Sequence, residues 1–110
     1  MSIDLSQLKA VAKKLNTLSD TLTRELSEFE SELSAMSLGL EVYIIRQDIT
    51  IGFGKFGEKW QLIAKEGSEE RKPLLQAKRS TKQIMSMYKQ ELIDRLQAKA
   101  ESLLEVLEKE

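Results

Sequence analysis

Histidine and cysteine are both missing from these 110 residues, and proline occurs once. Without them there is no disulfide, no thiol nucleophile and no zinc or iron–sulfur site of the usual nitrogen or sulfur ligands. Nothing left in the chain naturally titrates near neutral pH, so acid–base chemistry would fall to carboxylates, lysine or tyrosine. No window approaches the roughly 18 consecutive apolar residues of a membrane span, and the chain becomes polar soon after Met1 to Leu5, so a cytoplasmic location is expected. Charge of one sign is also lacking: 17 Lys and Arg face 18 Asp and Glu, a formal net charge of -1, with 41% hydrophobic residues. That balance describes one globular domain, neither a disordered chain nor a generally basic nucleic-acid binder.

What is present is periodic. Leu8, Leu15, Leu22, Phe29 and Met36 recur every seven positions, flanked by Val11, Leu18, Leu26 and Leu33, which predicts an amphipathic helix over 4–38. Asp4 and Gln7 have the spacing of a capping box, Ile3 and Leu8 that of a hydrophobic staple, and Gly39 supplies a stop. From 40 to 65 the period falls to two. Ile49, Ile51 and Phe53 alternate with Thr50, Gly52 and Gly54, and Trp60, Leu62 and Ala64 follow the same rule. A three-stranded antiparallel meander is favoured over a hairpin with a long first arm, with turns at Gln47-Asp48 and Phe56-Gly57-Glu58. Residues 66–79 read as a connector with a helical turn starting at Pro73, and Ser80 to Gln83 cap a second helix over 81–108. The fold class expected is α+β: two long antiparallel amphipathic helices flanking a small sheet and oligomerising into a helical bundle. A thin core of this kind gains stability by association, so a homo-oligomer, most simply a dimer, is expected. Leu8, Leu15, Leu22, Phe29, Leu92, Leu96, Leu103 and Leu107 are the candidate interface, and an uncovered Val42–Ile45 strand edge offers a second route to pairing.

Three motifs invite chemistry. Gly52-Phe-Gly-Lys-Phe-Gly57 is literally G-x-G-x-x-G and looks like the glycine-rich loop of protein kinases. It leads into Trp60 and Leu62 rather than a helix N-terminus, and neither His-Arg-Asp nor Asp-Phe-Gly follows, so the glycines are read as a place where a strand bends or a large side chain lies flat. Ser86-Met-Tyr-Lys89 has bare Ser-x-x-Lys spacing without its companion motifs, leaving Tyr88 and Lys89 as the only acid–base candidates. Glu28, Glu30 and Glu32 alternate around the helix and read as solubilising. No catalytic, metal or cofactor site is expected.

Charge and aromatics supply the other candidate surfaces. Arg71, Lys72, Lys78, Arg79, Lys82 and Lys89 form a run with no acid between Glu70 and Glu91, a candidate patch for nucleic acid or an acidic protein partner. Tyr43, Phe53, Phe56 and Trp60 are four of the six aromatics, read as core and alternatively as an interaction surface.

Helix, small sheet and helix in about 110 residues resembles the layout of the beta-type prefoldin subunit, which implies a holdase whose arms project from a β-assembly; that family's Tyr-Lys-x-Val-Gly hairpin element has no counterpart at Tyr43-Ile-Ile-Arg46. Leu38-Gly-Leu-Glu-Val42, Gly52-Phe-Gly-Lys55, Trp60-Gln-Leu62 and Pro73-Leu-Leu75 resemble a group of small uncharacterised bacterial helix–sheet–helix proteins, which implies the same fold and no assigned chemistry. The expected function is a non-enzymatic oligomeric protein-interaction module, a scaffold, adaptor or inhibitor of another macromolecule. The alternatives are a prefoldin-like holdase and anionic-partner binding through 71–89.

Overall fold

The computed structural model describes residues 3–109. Helix α1 runs over Ser6–Ala35, carried by its seven-residue apolar register. Asp4 Oδ1 accepts from the Ser6 N–H at 2.9 Å, and hydrogen bonding to Ser6 holds this carboxyl below its ordinary range. Leu5, not Asp4, occupies the N-cap, and Ile3 and Leu8 both remain exposed, so the expected box and staple do not form. The helix stops before Gly39: Met36 caps it, and the left-handed position falls to Ser37, φ 51°.

Strands β1 (Val42–Arg46), β2 (Ile49–Phe56), β3 (Lys59–Glu66) and β4 (Lys72–Pro73) form one antiparallel sheet in chain order. Gln47 and Asp48 both have positive φ, 51° and 65°, which a two-residue turn between right-twisted strands requires. Gly57, φ 64°, makes the next turn. The expected connector therefore holds a fourth, two-residue strand and a 3₁₀ turn over Leu74–Gln76. The second long helix is divided into α2 (Arg79–Met87) and α3 (Lys89–Glu108). At Tyr88, φ -108° and ψ 15°, the backbone leaves helical geometry, and its N–H is shared between the Ile84 and Met85 carbonyls. Ser80 is not the cap of α2: Lys78 is, and no side chain bonds the free N–H groups there.

Period-two alternation sends Ile44, Ile51, Phe53, Leu62 and Ala64 to one face, where Leu26, Leu33, Leu74, Met85, Leu92 and Leu96 complete the core. α1 lies on β3 and α3 on β1. The α+β architecture, with long N- and C-terminal helices flanking an antiparallel meander, is thus present. The relative direction of the helices differs from expectation. Along α1, residues 34 and 30 meet β3 at residues 60 and 62; along α3, residues 91, 95 and 99 meet β1 at 46, 43 and 41. Each helix opposes its own strand, and β1 and β3 are parallel to each other, so α1 and α3 run the same way. The reason is parity: three strands reverse the chain an even number of times between the first and the last, whereas a hairpin would have left the helices antiparallel.

Because the sheet supports only the C-terminal half of α1 and the N-terminal half of α3, the remaining halves leave the body at opposite ends. The molecule measures 78 × 27 × 24 Å, well beyond the roughly 45 Å that the 30-residue α1 spans at about 1.5 Å per residue. Its radius of gyration, 17.8 Å, exceeds the roughly 13 Å of a compact domain of this size.

Candidate functional site

The two projecting arms are the most unusual surface of the molecule. On α1, Leu8, Val11, Leu15 and Leu18 repeat at three- and four-residue spacing on one face and are 64, 62, 45 and 59% exposed. On α3, Leu103, Leu104, Val106 and Leu107 are 46 to 58% exposed, and every residue from 101 to 109 faces solvent. Scattered exposed leucines are ordinary; here the stripe continues from the core onto helix that the sheet does not cover, with Leu15 and Leu18 lining a cleft against Arg79, Gln83 and Met87 of α2. Of the eight predicted interface residues, Leu92 and Leu96 are consumed by the core, and Leu22 and Phe29 are half-buried against it. Leu8, Leu103 and Leu107 stay free, at the two ends rather than side by side, and Leu15 lines a cleft against Arg79 and Met87 of α2.

Between the helices, where they share the sheet, lies an apolar groove of about 380 Å³, walled by Phe29 and Leu33 of α1 with its cap Met36, and by Ile93, Leu96 and Ala100 of α3. Sequence periodicity marks each wall as apolar but contains nothing about the gap, which follows from the parallel placement of the helices on separate strands. Through Ala100 the groove runs into the stripe of the α3 arm.

Side chains meet the strand edges at several points. Lys99 Nζ donates to the Glu41 carbonyl just before β1 at 2.7 Å, Arg95 to Tyr43 O at 3.5 Å, and Arg46 to the carbonyl of Ile45 at 2.8 Å, so cations take up carbonyls along the outer side of β1. On the far edge, beyond the reach of β4, Glu30 accepts from the Leu62 N–H at 2.9 Å and the Ser34 hydroxyl donates to Trp60 O at 2.8 Å. Glu30 thus serves as a partner for a strand, and burial, only partly offset by that N–H, raises its pKa. On the Val42–Ile45 edge, which the sequence offered for pairing, the carbonyls of Tyr43 and Ile45 thus already have side-chain partners, while Ile45 itself is 68% exposed.

The glycine motif is structural in placement. Tyr43 lies over β2: a Cβ on Gly52 would meet the Val42 carbonyl oxygen and the Tyr43 ring, and one on Gly54 would meet the Tyr43 hydroxyl. Arg71 stacks on that ring, 4.6 Å from its centroid, and Tyr43 donates to Glu41 at 3.0 Å. Burial, then the Glu41 bond, push the phenol up. The four candidate aromatics divide by strand alternation. Phe53 and Trp60 stack at 6.0 Å on the helix-covered face, while Tyr43 and Phe56 belong to the other face.

The six cations of the basic run do not converge. Arg71 is on Tyr43; Lys72 and Lys78 reach Glu66 at 3.2 and 3.8 Å, and Lys72 also reaches Glu69 at 3.2 Å. Desolvation pushes the Glu66 carboxyl up, but Lys72 and the N–H and ammonium of Lys78 outweigh it and lower its pKa. Lys82 Nζ donates to Thr23 Oγ1 of α1 at 3.3 Å beside Arg79, and Lys89 Nζ lies 5.9 Å from the Phe29 ring centroid. Of the acid–base candidates, Tyr88 is covered by the Arg46 guanidinium at 5.1 Å, and Lys89 turns toward Phe29 instead. Among the described residues no cluster of three or more carboxylates could hold a metal ion, and no helix is long and apolar enough to cross a membrane.

One cluster had no sequence signal. Glu91, in the first turn of α3, takes both bonds of Arg46 at 2.7 Å and a third contact from Arg95 at 3.2 Å, clamping α3 to the end of β1.

No family model, curated protein or solved structure matches the chain.

Proposed function

We propose that this chain is a non-enzymatic, oligomeric protein-interaction module, a scaffold or adaptor that works through its helical arms. The observation that carries this reading is the continuation of the apolar stripe past the edge of the sheet onto both helix ends, where Leu8, Val11, Leu103 and Leu107 have no neighbour to cover them. A helix of this length is marginal in water without packing, so an arm that presents such a stripe is completed by a partner. Side-chain partners on several strand-edge groups favour helix-to-helix docking over strand addition. Native mass spectrometry of the chain purified from its source cell tests this reading. A defined oligomer or a retained protein supports it; a lone monomer at micromolar concentration contradicts it.

A holdase reading keeps one specific support, two apolar arms projecting from a β-containing body, as in the prefoldin layout. It predicts suppressed aggregation of an unrelated denatured protein at stoichiometric amounts, and absence of suppression removes it. Anionic-partner binding through 71–89 has less support, because Glu66 and Glu69 engage two of its cations and Arg71 is stacked on Tyr43.

A further inference from the structure

Resting on the oligomeric reading above, the geometry points to one occupant for both arms: a second copy of this chain, with the α1 arm of each protomer lying antiparallel against the α3 arm of its partner. The arms are complementary in charge. Residues 5–19 contain Lys9, Lys13 and Lys14 and no acid, while residues 100–108 contain Glu101, Glu105 and Glu108 and no base. Counting Asp4 and Asp20, which flank the first span, and Lys99 and Lys109, which flank the second, the arms carry +1 and -1.

Asp4 and Lys109 put a charge of the right sign at the two helix ends, but the turns just inside them carry the wrong one. The first turn of α1 holds no acid and the last turn of α3 no base, so lysines lie near the positive end of one macrodipole and glutamates near the negative end of the other. Laid antiparallel, the basic start of α1 meets the acidic end of α3, and both macrodipoles are opposed by a partner of the right sign.

The placement of the arms fits two-fold symmetry. They leave the body at opposite ends and run the same way, so turning a second copy by 180° about an axis across the long dimension brings its α3 arm beside the first copy's α1 arm. The same rotation makes the reciprocal pair at the other end. Two equal contacts close the assembly, whereas a head-to-tail array would lay the arms parallel and leave an open chain. The area is sufficient: at roughly 100 Å² of exposed apolar surface each, the eight arm residues approach the 800 Å² per partner of a stable interface. At full overlap Leu15 of the partner lands near Ala100, at the mouth of the groove between the helices.

Sedimentation equilibrium of the intact chain and three charge variants tests this. Lys9→Glu, Lys13→Glu and Lys14→Glu together give two acidic arms, and Glu101→Lys, Glu105→Lys and Glu108→Lys together give two basic arms; each set should weaken the dimer at least about tenfold. All six changes in one chain restore opposite signs and should restore the dimer, which no pairing of like arms predicts. Circular dichroism and Trp60 fluorescence check that the body is folded. A further pair keeps the test independent of helix propensity: Leu8→Cys mixed with Leu107→Cys, in a chain with no other cysteine, should form an intermolecular disulfide faster than Leu8→Cys alone. A dimeric parent whose six-fold variant stays monomeric, or whose Leu8→Cys chain links to itself as fast, overturns the arm pairing and leaves the oligomeric reading standing. A monomeric parent overturns both.

Discussion

Gly52 and Gly54 have the same spacing in a nucleotide-binding motif and in this sheet, and a pair of alanine substitutions separates the two roles. At Gly52 a methyl group meets backbone first, the Val42 carbonyl oxygen and the Tyr43 Cα at 2.8 Å, with the Tyr43 ring edge at 2.7 Å. At Gly54 it meets only side chains, the Tyr43 hydroxyl and the Glu41 carboxylate at 3.2 Å. Overpacking of a close-fitting site costs about 1–3 kcal/mol, and the paired strand at Gly52 has nowhere to move, so Gly52→Ala falls at the upper end of that range. In a domain this small each kcal/mol lowers Tm by about 4 °C or more. Gly54→Ala should cost about 1 kcal/mol in the parent chain, because a side chain can give way. With Tyr43→Ala already present, Gly54→Ala becomes neutral or stabilising by up to about 1 kcal/mol, since glycine loses more chain entropy on folding than alanine. Urea denaturation followed by the fluorescence of Trp60, the only tryptophan, gives all four corners of the cycle. Equal rescue of both glycines by Tyr43→Ala, or no cost at Gly52, would refute the reasoning.

Leu26→Ala empties a fully buried position under the sheet and should cost about 2–5 kcal/mol, whereas Leu8→Ala on the arm should leave the denaturation of the body nearly unchanged and weaken only self-association. Thr81 is buried with its hydroxyl unpartnered, so Thr81→Val should raise stability by about 1 kcal/mol, and a loss in thermal melting would show an unrecognised partner. Arg46→Ala frees the start of α3 from β1; with both side chains one-third exposed the loss should be about 1 kcal/mol, accompanied by faster hydrogen exchange in the first turns of α3. The folded pKa of Glu66 is depressed, so its contribution is complete above the ordinary glutamate range and lost as pH falls through the folded value; Glu66→Gln should flatten the acid limb of a stability–pH curve, and an unchanged limb would contradict the pairing with Lys72.

Strong periodicity made α1, the three long strands and the turns at Gln47-Asp48 and Gly57 legible, because each is specified by residues within one or two turns of chain. What failed depended on distance. Tyr88 breaks the second helix without a glycine or proline, and the Arg46 guanidinium over its ring comes from β1, beyond the reach of any local pattern. The basic run looked continuous because it is contiguous in sequence, but Lys72 and Lys78 turn to Glu66 while Arg71 stacks on Tyr43. Glu30 looked like a solubilising carboxylate, and its role emerges only when Leu62 arrives with an unpaired N–H. The helix stripes were readable; which parts of them the core would leave free was not, since that depends on the parity of the strands between them.

The most direct measurement of the central claim is hydrogen exchange of the amides in residues 6–18 and 100–108 over a hundredfold range of protein concentration. Arms completed by a second copy should be protected, and protection in both segments should rise together with concentration while the sheet amides stay constant. Rapid exchange in both arms at every concentration would mean that the stripes meet no partner of this kind, and would contradict the account.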